Sequence, residues 1–214
     1  MLMAVMAACG RGRDDMFKVL EVLKMFEMCK HYPKCEKLHD GTEVVLRLMV
    51  EEDQRALFEF FQRVPKEDRL FLRDDVSDPK TIQAWANELD YDRVLPLLAL
   101  IDGKVVGDAT LHRRQGGWTA HVGRVRLVVD PQYRQRGLGT LLIRELVEIG
   151  KGLELDRLVV ELTGTQQAAL SAFRHLGFAR VAVLNQHIKD QAGRPQDLVI
   201  MINDLVDTPE IVSF

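Results

Sequence analysis

The chain sets short β-branched runs against longer stretches of helical period, and these blocks follow one another from residue 43 to 203. Glu43 to Met49 reads as a first strand, and Glu51 or Asp53 starts a helix to about Arg63, before Pro65 breaks the chain. Asp78-Pro79 starts a second helix through Trp85 to Leu89. Leu97 to Ile101 and Lys104 to Leu111 are apolar runs joined by Asp102-Gly103, a strong hairpin signal. Gly116-Gly117 turns the chain into a strand that starts near Thr119 and includes the β-branched run Val125 to Val129. Leu141 to Ile149 has helical period, and Leu158 to Leu162 reads as a buried strand. Gln166 to Leu176 forms a helix with Ala169, Leu170, Phe173 and Leu176 on one face, closed by Gly177. Phe178 to Val183 and Leu198 to Ile202 follow as strands. This order predicts a mixed α/β sheet with helices on both faces.

Residues 1–41 stand apart from that pattern as an N-terminal helical extension, with the main domain at 42–206 and a tail at 207–214. Asp14 or Asp15 caps a helix from Met16 to about Lys30. Its polar positions recur every third residue and almost everything between them is apolar, so it must pack on the domain or on another chain. Both readings stay open, a homodimer through this helix among them. Six of the eight methionines lie in the first 28 residues, which suits an adaptable packing surface.

Composition narrows the classes. A chain of 214 residues with 47% apolar and 29% charged residues fits one globular domain plus an extension. The formal charge of −3 gives no electrostatic case for nucleic acid or an anionic membrane, and no apolar run approaches the ~20 residues of a membrane span. Three cysteines (Cys9, Cys29, Cys35) and no export leader favour a reducing cytoplasm. Cys29, His31, Cys35 and His39 sit close together, but Cys-x5-Cys with interleaved histidines is not a usual zinc spacing, so no metal is expected.

The chemistry concentrates in Arg134-Gln135-Arg136-Gly137-Leu138-Gly139-Thr140, placed between a strand and a helix. The first amides of a helix lack intrahelical partners, and the helix dipole puts partial positive charge there. Glycines at 137 and 139 let an anion approach those amides. A dinucleotide fingerprint would need a third glycine at residue 142, which is leucine, and a P-loop would need a lysine after Gly139. What remains is R-x-x-G-x-G.

Together with the strand and proline turn Val125 to Tyr133 and the helix Ala168 to Gly177-Phe178, this motif resembles the GNAT superfamily of N-acetyltransferases over roughly residues 43 to 203. The resemblance implies a GNAT-type fold, a mostly antiparallel mixed sheet of about seven strands whose parallel fourth and fifth strands splay to admit acetyl-CoA. It implies that Leu127, Val128 and Val129 pair through their backbone with the pantetheine, that Arg134, Gln135, Arg136, Gly137, Leu138, Gly139 and Thr140 hold the pyrophosphate, and that Gln166 and Phe173 contact the cofactor. The implied reaction is direct attack of an amine on the thioester, with an oxyanion held by a fourth-strand amide and a base to take the amine proton. Val160-Glu161-Leu162 is similar to the strand that carries the base of enzymes acetylating ribosomal-protein N-termini, so Glu161 is the candidate base. Its other reading is a carboxylate paired with a nearby arginine. Asp108 and His121 are weaker candidates. Phe173 stands where the family usually has its tyrosine acid, and phenylalanine has no proton to give.

Val64 to Leu70 and Asp90-Tyr91-Asp92-Arg93 resemble the bacterial protein lysine acetyltransferases, whose fourth-strand glutamate is missing at Gly123-Arg124. Arg124 and Arg126 alternate with Val125 and share a face. The expected activity is acetyl transfer to a protein lysine or a small-molecule amine. The competing reading is a non-catalytic CoA-binding sensor or interaction module.

Overall fold

The computed structural model describes residues 24–206 apart from 26, 70, 71, 73 and 191. Most of the proposed N-terminal helix and the whole 207–214 tail lie outside the described residues. Strands β1 (Lys34–Lys37), β2 (Glu43–Leu48), β3 (Val94–Ile101), β4 (Lys104–His112), β5 (Val122–Val129), β6 (Arg157–Thr163), β7 (Ala179–Lys189) and β8 (Pro195–Asp204) form one sheet. Its order is β1-β2-β3-β4-β5-β6-β8-β7. Helices α1 (Gln54–Arg63), α2 (Lys66–Arg69) and α3 (Pro79–Asn87) precede β3, α4 (Leu138–Gly152) joins β5 to β6, and α5 (Gln167–His175) joins β6 to β7.

The fold class stands, with eight strands among the described residues where about seven were expected. The addition is β1, which pairs antiparallel with β2 from Lys34↔Leu46 to Lys37↔Glu43, inside the stretch assigned to a separate extension. Its sequence, Lys-Cys-Glu-Lys, has no apolar alternation to betray it. Asp40-Gly41, with Gly41 at φ 81°, is the turn signal that marks the hairpin. Asp102 and Gly103 turn the β3–β4 hairpin at φ 50° and 74°, as expected.

Successive residues of the central strands enter different cores. Leu97, Ala99, Ala109, Leu111, Val125, Leu158 and Val160 pack in the core that includes Leu138, Leu142 and Leu146 of α4. Leu98 and Val105 pack with Leu57, Phe60 and Phe61 of α1 and Ile82 of α3. Two layers of helix therefore cover the sheet. The α4 side is very close: a Cβ at Gly107 would lie 2.8 Å from Leu142 Cδ1, and one at Gly123 within 2.9 Å of Leu111, Leu155 and Leu158. The helical residues near the start of the described chain pack on this same core through Met25 and Met28. For those residues, packing within the subunit is what the structure gives.

Candidate active site

All neighbouring strands run antiparallel except β5 and β6. That parallel ladder lasts only from Val122↔Arg157 to Val125↔Val160, although both strands continue. Beyond it, β5 stays paired with β4 as far as Val129↔Gly107. The edge of Arg126, Leu127, Val128 and Val129 that turns toward β6 therefore has no strand beside it among the described residues, which leaves a wedge between the two strands.

The wedge leads to the glycine turn. Asp130, 2% exposed, accepts the Gln132 amide at 3.0 Å and the Arg63 Nε at 2.7 Å, fixing the turn to the end of α1. Gln135 (φ 61°) and Gly137 (φ 89°) then bend the chain into α4. The first α4 amide with a turn acceptor is that of Leu141, bonded to Gly137 O at 2.9 Å. Six consecutive amides, Gln135 to Thr140, have no protein acceptor among the described residues. Backbone donors converging at a helix start fit a pyrophosphate. A Cβ at Gly139 would touch only Leu127 and Val129, at 3.6 and 3.9 Å, so packing alone does not demand glycine there.

The rim arginines are held by carboxylates that the sequence did not flag. Arg134 donates to Asp68 of α2 at 2.6 Å and to Val129 O at 3.2 Å. Arg136 lies 3.4 Å from Asp40 and over the Tyr133 ring.

Arg124, Arg126, Val128 and Glu161 alternate with residues of the α4-side core and so share the opposite face, together with Asp108 and Thr110. Glu161 accepts from Arg124 Nη1 at 2.6 Å, both side chains being about half exposed. Asp108, directly across from Val128, is buried, and burial pushes its carboxyl up to about 6 against the hydrogen bond from Thr110 at 3.2 Å. His121 lies in the turn before β5, where its carbonyl accepts the Asp156 amide, at the far end from the wedge.

Two expected cofactor contacts are occupied structurally. Phe173 is 1% exposed and meets Phe178 edge-on at 4.9 Å, so its ring is a core element beneath the site rather than part of its surface. The Gln166 side chain accepts the Thr163 amide at 2.9 Å and closes the turn from β6 into α5. Of the Cys/His group, Cys29 is half-buried on the core, Cys35 is exposed on β1, and His39 sits against the glycine turn. The Asp90 to Arg93 turn leads into β3, with the Tyr91 hydroxyl donating to Met49 O at 2.6 Å.

The acetyltransferase (GNAT) family model matches residues 46–178. The chain is 30% identical over 96 residues to the L-amino acid N-acetyltransferase AaaT of Escherichia coli (strain K12), covering 44% of this chain and 59% of that protein. It is 29% identical over 118 residues to N-alpha-acetyltransferase 30 of Xenopus laevis, covering 52% of this chain and 41% of that one. The chain thus spans about half the length of these curated relatives, whose names refer to amino-acid and N-alpha acetylation rather than to lysine. The structure of yncA from Salmonella typhimurium with its cofactor acetyl-CoA superposes with a TM-score of 0.65 at 20% identity, over 77% of this chain and 95% of that one.

Proposed function

The chain belongs to the acetyltransferase (GNAT) family, and from that premise we propose that it is an acetyl-CoA-dependent N-acetyltransferase acting on the α-amine of an amino acid or peptide. The observation that carries this reading is the wedge between β5 and β6 opening directly onto six unpaired amides. The amides of Gln135 to Thr140 would hold the pyrophosphate, and the backbone of Leu127 to Val129 would take the pantetheine amides as a missing strand would. Acetyl-CoA supplies the activated thioester. The preference for an α-amine over a lysine rests on the names of the curated relatives.

The chain's own part in the chemistry is to receive the proton that the acceptor ammonium must lose. Glu161 is assigned that role, because it stands exposed just past the last β5–β6 pair, and Arg124 must release it for the purpose. Asp108 is the second carboxylate on that face, favoured by its burial and by a carboxyl raised to about 6. The free thiols of Cys29 and Cys35 suit a reducing cytoplasm.

Thiol release from acetyl-CoA, measured with free amino acids, peptides with open N-termini and N-blocked peptides containing lysine, tests the reading. Turnover with the first two and none with the third is the expected result. Turnover with blocked lysine peptides alone moves the acceptor to lysine. CoA binding without turnover on any amine defeats the enzyme and leaves a non-catalytic CoA module, the role that Phe173 and Arg124 otherwise favour.

A further inference from the structure

We propose that His39 is a ligand of the cofactor's pyrophosphate, delivered to the glycine turn by the turn of the β1–β2 hairpin, which lies outside the family match. The proposal rests on the acetyl-CoA reading above. The hairpin turn, residues 38–41, precedes the match, which begins at residue 46. It nevertheless touches the centre of the cradle. A Cβ built on Gly137 would lie 2.7 Å from His39 Nε2, 2.8 Å from Cε1 and 2.9 Å from Cδ2. The ring therefore rests on the bare face of that glycine, with Nε2 its nearest atom. Among the described residues no group hydrogen-bonds the ring, and the amides from Gln135 to Thr140 are equally unpaired. An exposed imidazole lying against Gly137 and the unpaired amides on either side of that glycine thus belong to one turn, and all of these groups suit phosphate oxygens.

The ring is kept there by backbone and ion pairs. The His39 amide donates to Arg136 O at 3.2 Å, and Asp40 lies 3.4 Å from the Arg136 guanidinium. Leu38 N bonds Thr42 O at 2.9 Å and closes the hairpin. Further back, Lys34 and Tyr32 reach Glu145 in the middle of α4 at 2.6 and 3.0 Å, and Lys24 reaches Glu154 past its end at 2.6 Å. The described residues between 24 and 40 thereby run antiparallel along α4, whose start carries the glycine turn, and are fastened at its end, middle and beginning. Charged neighbours of the turn that carries the ring are Asp40 beside His39 and Arg136, whose guanidinium lies 3.4 Å from Asp40 and over the Tyr133 ring.

Calorimetric titration of CoA and of 3′-dephospho-CoA into the full chain tests this, with thermal melts of each free variant as the folding control. His39→Ala and His39→Phe, the second of which keeps a ring on Gly137 but no donor, should each weaken both ligands about tenfold. His39→Gln, which restores an N–H, should bind within about threefold of wild type. Variants that bind both ligands as tightly as wild type, or more tightly, overturn the proposal. A loss seen with CoA alone assigns the ring to the 3′-phosphate and overturns the pyrophosphate contact. A wild-type chain that binds neither ligand instead overturns the cofactor reading itself.

Discussion

Arg124 Nη1 and Glu161 Oε1 lie 2.6 Å apart across the parallel strands β5 and β6, just where those strands begin to separate. An exposed pair of this kind contributes at most about 1 kcal/mol to stability, so replacing Glu161 tests the proposed base with little effect on the fold. Glu161→Gln should lower turnover about 100-fold or more, within the range for loss of a general base. CoA affinity and the melting temperature should stay near wild type. Steady-state kinetics beside calorimetry decide it, and turnover unchanged within a few-fold leaves Glu161 as a surface ion pair only.

Asp108 gives a test with a definite sign. Its carboxyl in the fold is raised from the ordinary 3.8 to about 6, so the folded chain holds a proton that the unfolded chain releases. The resulting penalty on stability is absent below about pH 4, grows between pH 4 and 6, and is complete above pH 6. Asp108→Asn should therefore stabilise the protein at pH 7, by on the order of 2–3 kcal/mol, with the gain shrinking toward pH 4. Denaturant midpoints across that range measure it. If the same variant loses turnover about 100-fold while Glu161→Gln does not, the proton acceptor is the buried carboxylate.

The two glycines of the turn should respond in opposite ways. Gly137 has φ 89° and the His39 ring against it, so Gly137→Ala carries both backbone strain and a clash. We expect a loss of about 1–3 kcal/mol in stability and at least tenfold weaker CoA binding. Gly139 lies inside α4 with only ordinary contacts near its missing Cβ. Gly139→Ala should raise stability by about 0.5–1 kcal/mol and still weaken CoA, because its methyl crowds the amides. Paired melts and titrations show whether the two effects separate.

Glu145, 4% exposed on α4, is the fastening that Lys34 and Tyr32 share. Glu145→Ala leaves the partly buried Lys34 ammonium without its partner and should cost about 3 kcal/mol, a fall of roughly 6–12 °C in melting temperature. Thermal denaturation of the variant measures this, and a shift below about 2 °C means that the N-terminal segment contributes little to the fold.

The sequence alone determined the order of elements and the glycine turn, and it pointed to an anion there. Each of these is written in neighbouring residues: the 2.0 and 3.6 periods, Asp102-Gly103, and glycines where φ is positive or the backbone must stay bare. The β1 strand escaped because three charged residues around one cysteine on an edge carry no period, with Asp40-Gly41 its one local trace. Tertiary structure decided which partners the charged groups found. Arg134 meets Asp68 across 66 residues, Lys34 meets Glu145 across 111, and Arg124 meets Glu161 across 37. Strand alternation constrains facing but not register, so only the assembled sheet puts Asp108 opposite Val128 and brings His39 onto Gly137. Local sequence built the cradle, and long-range packing chose what surrounds it.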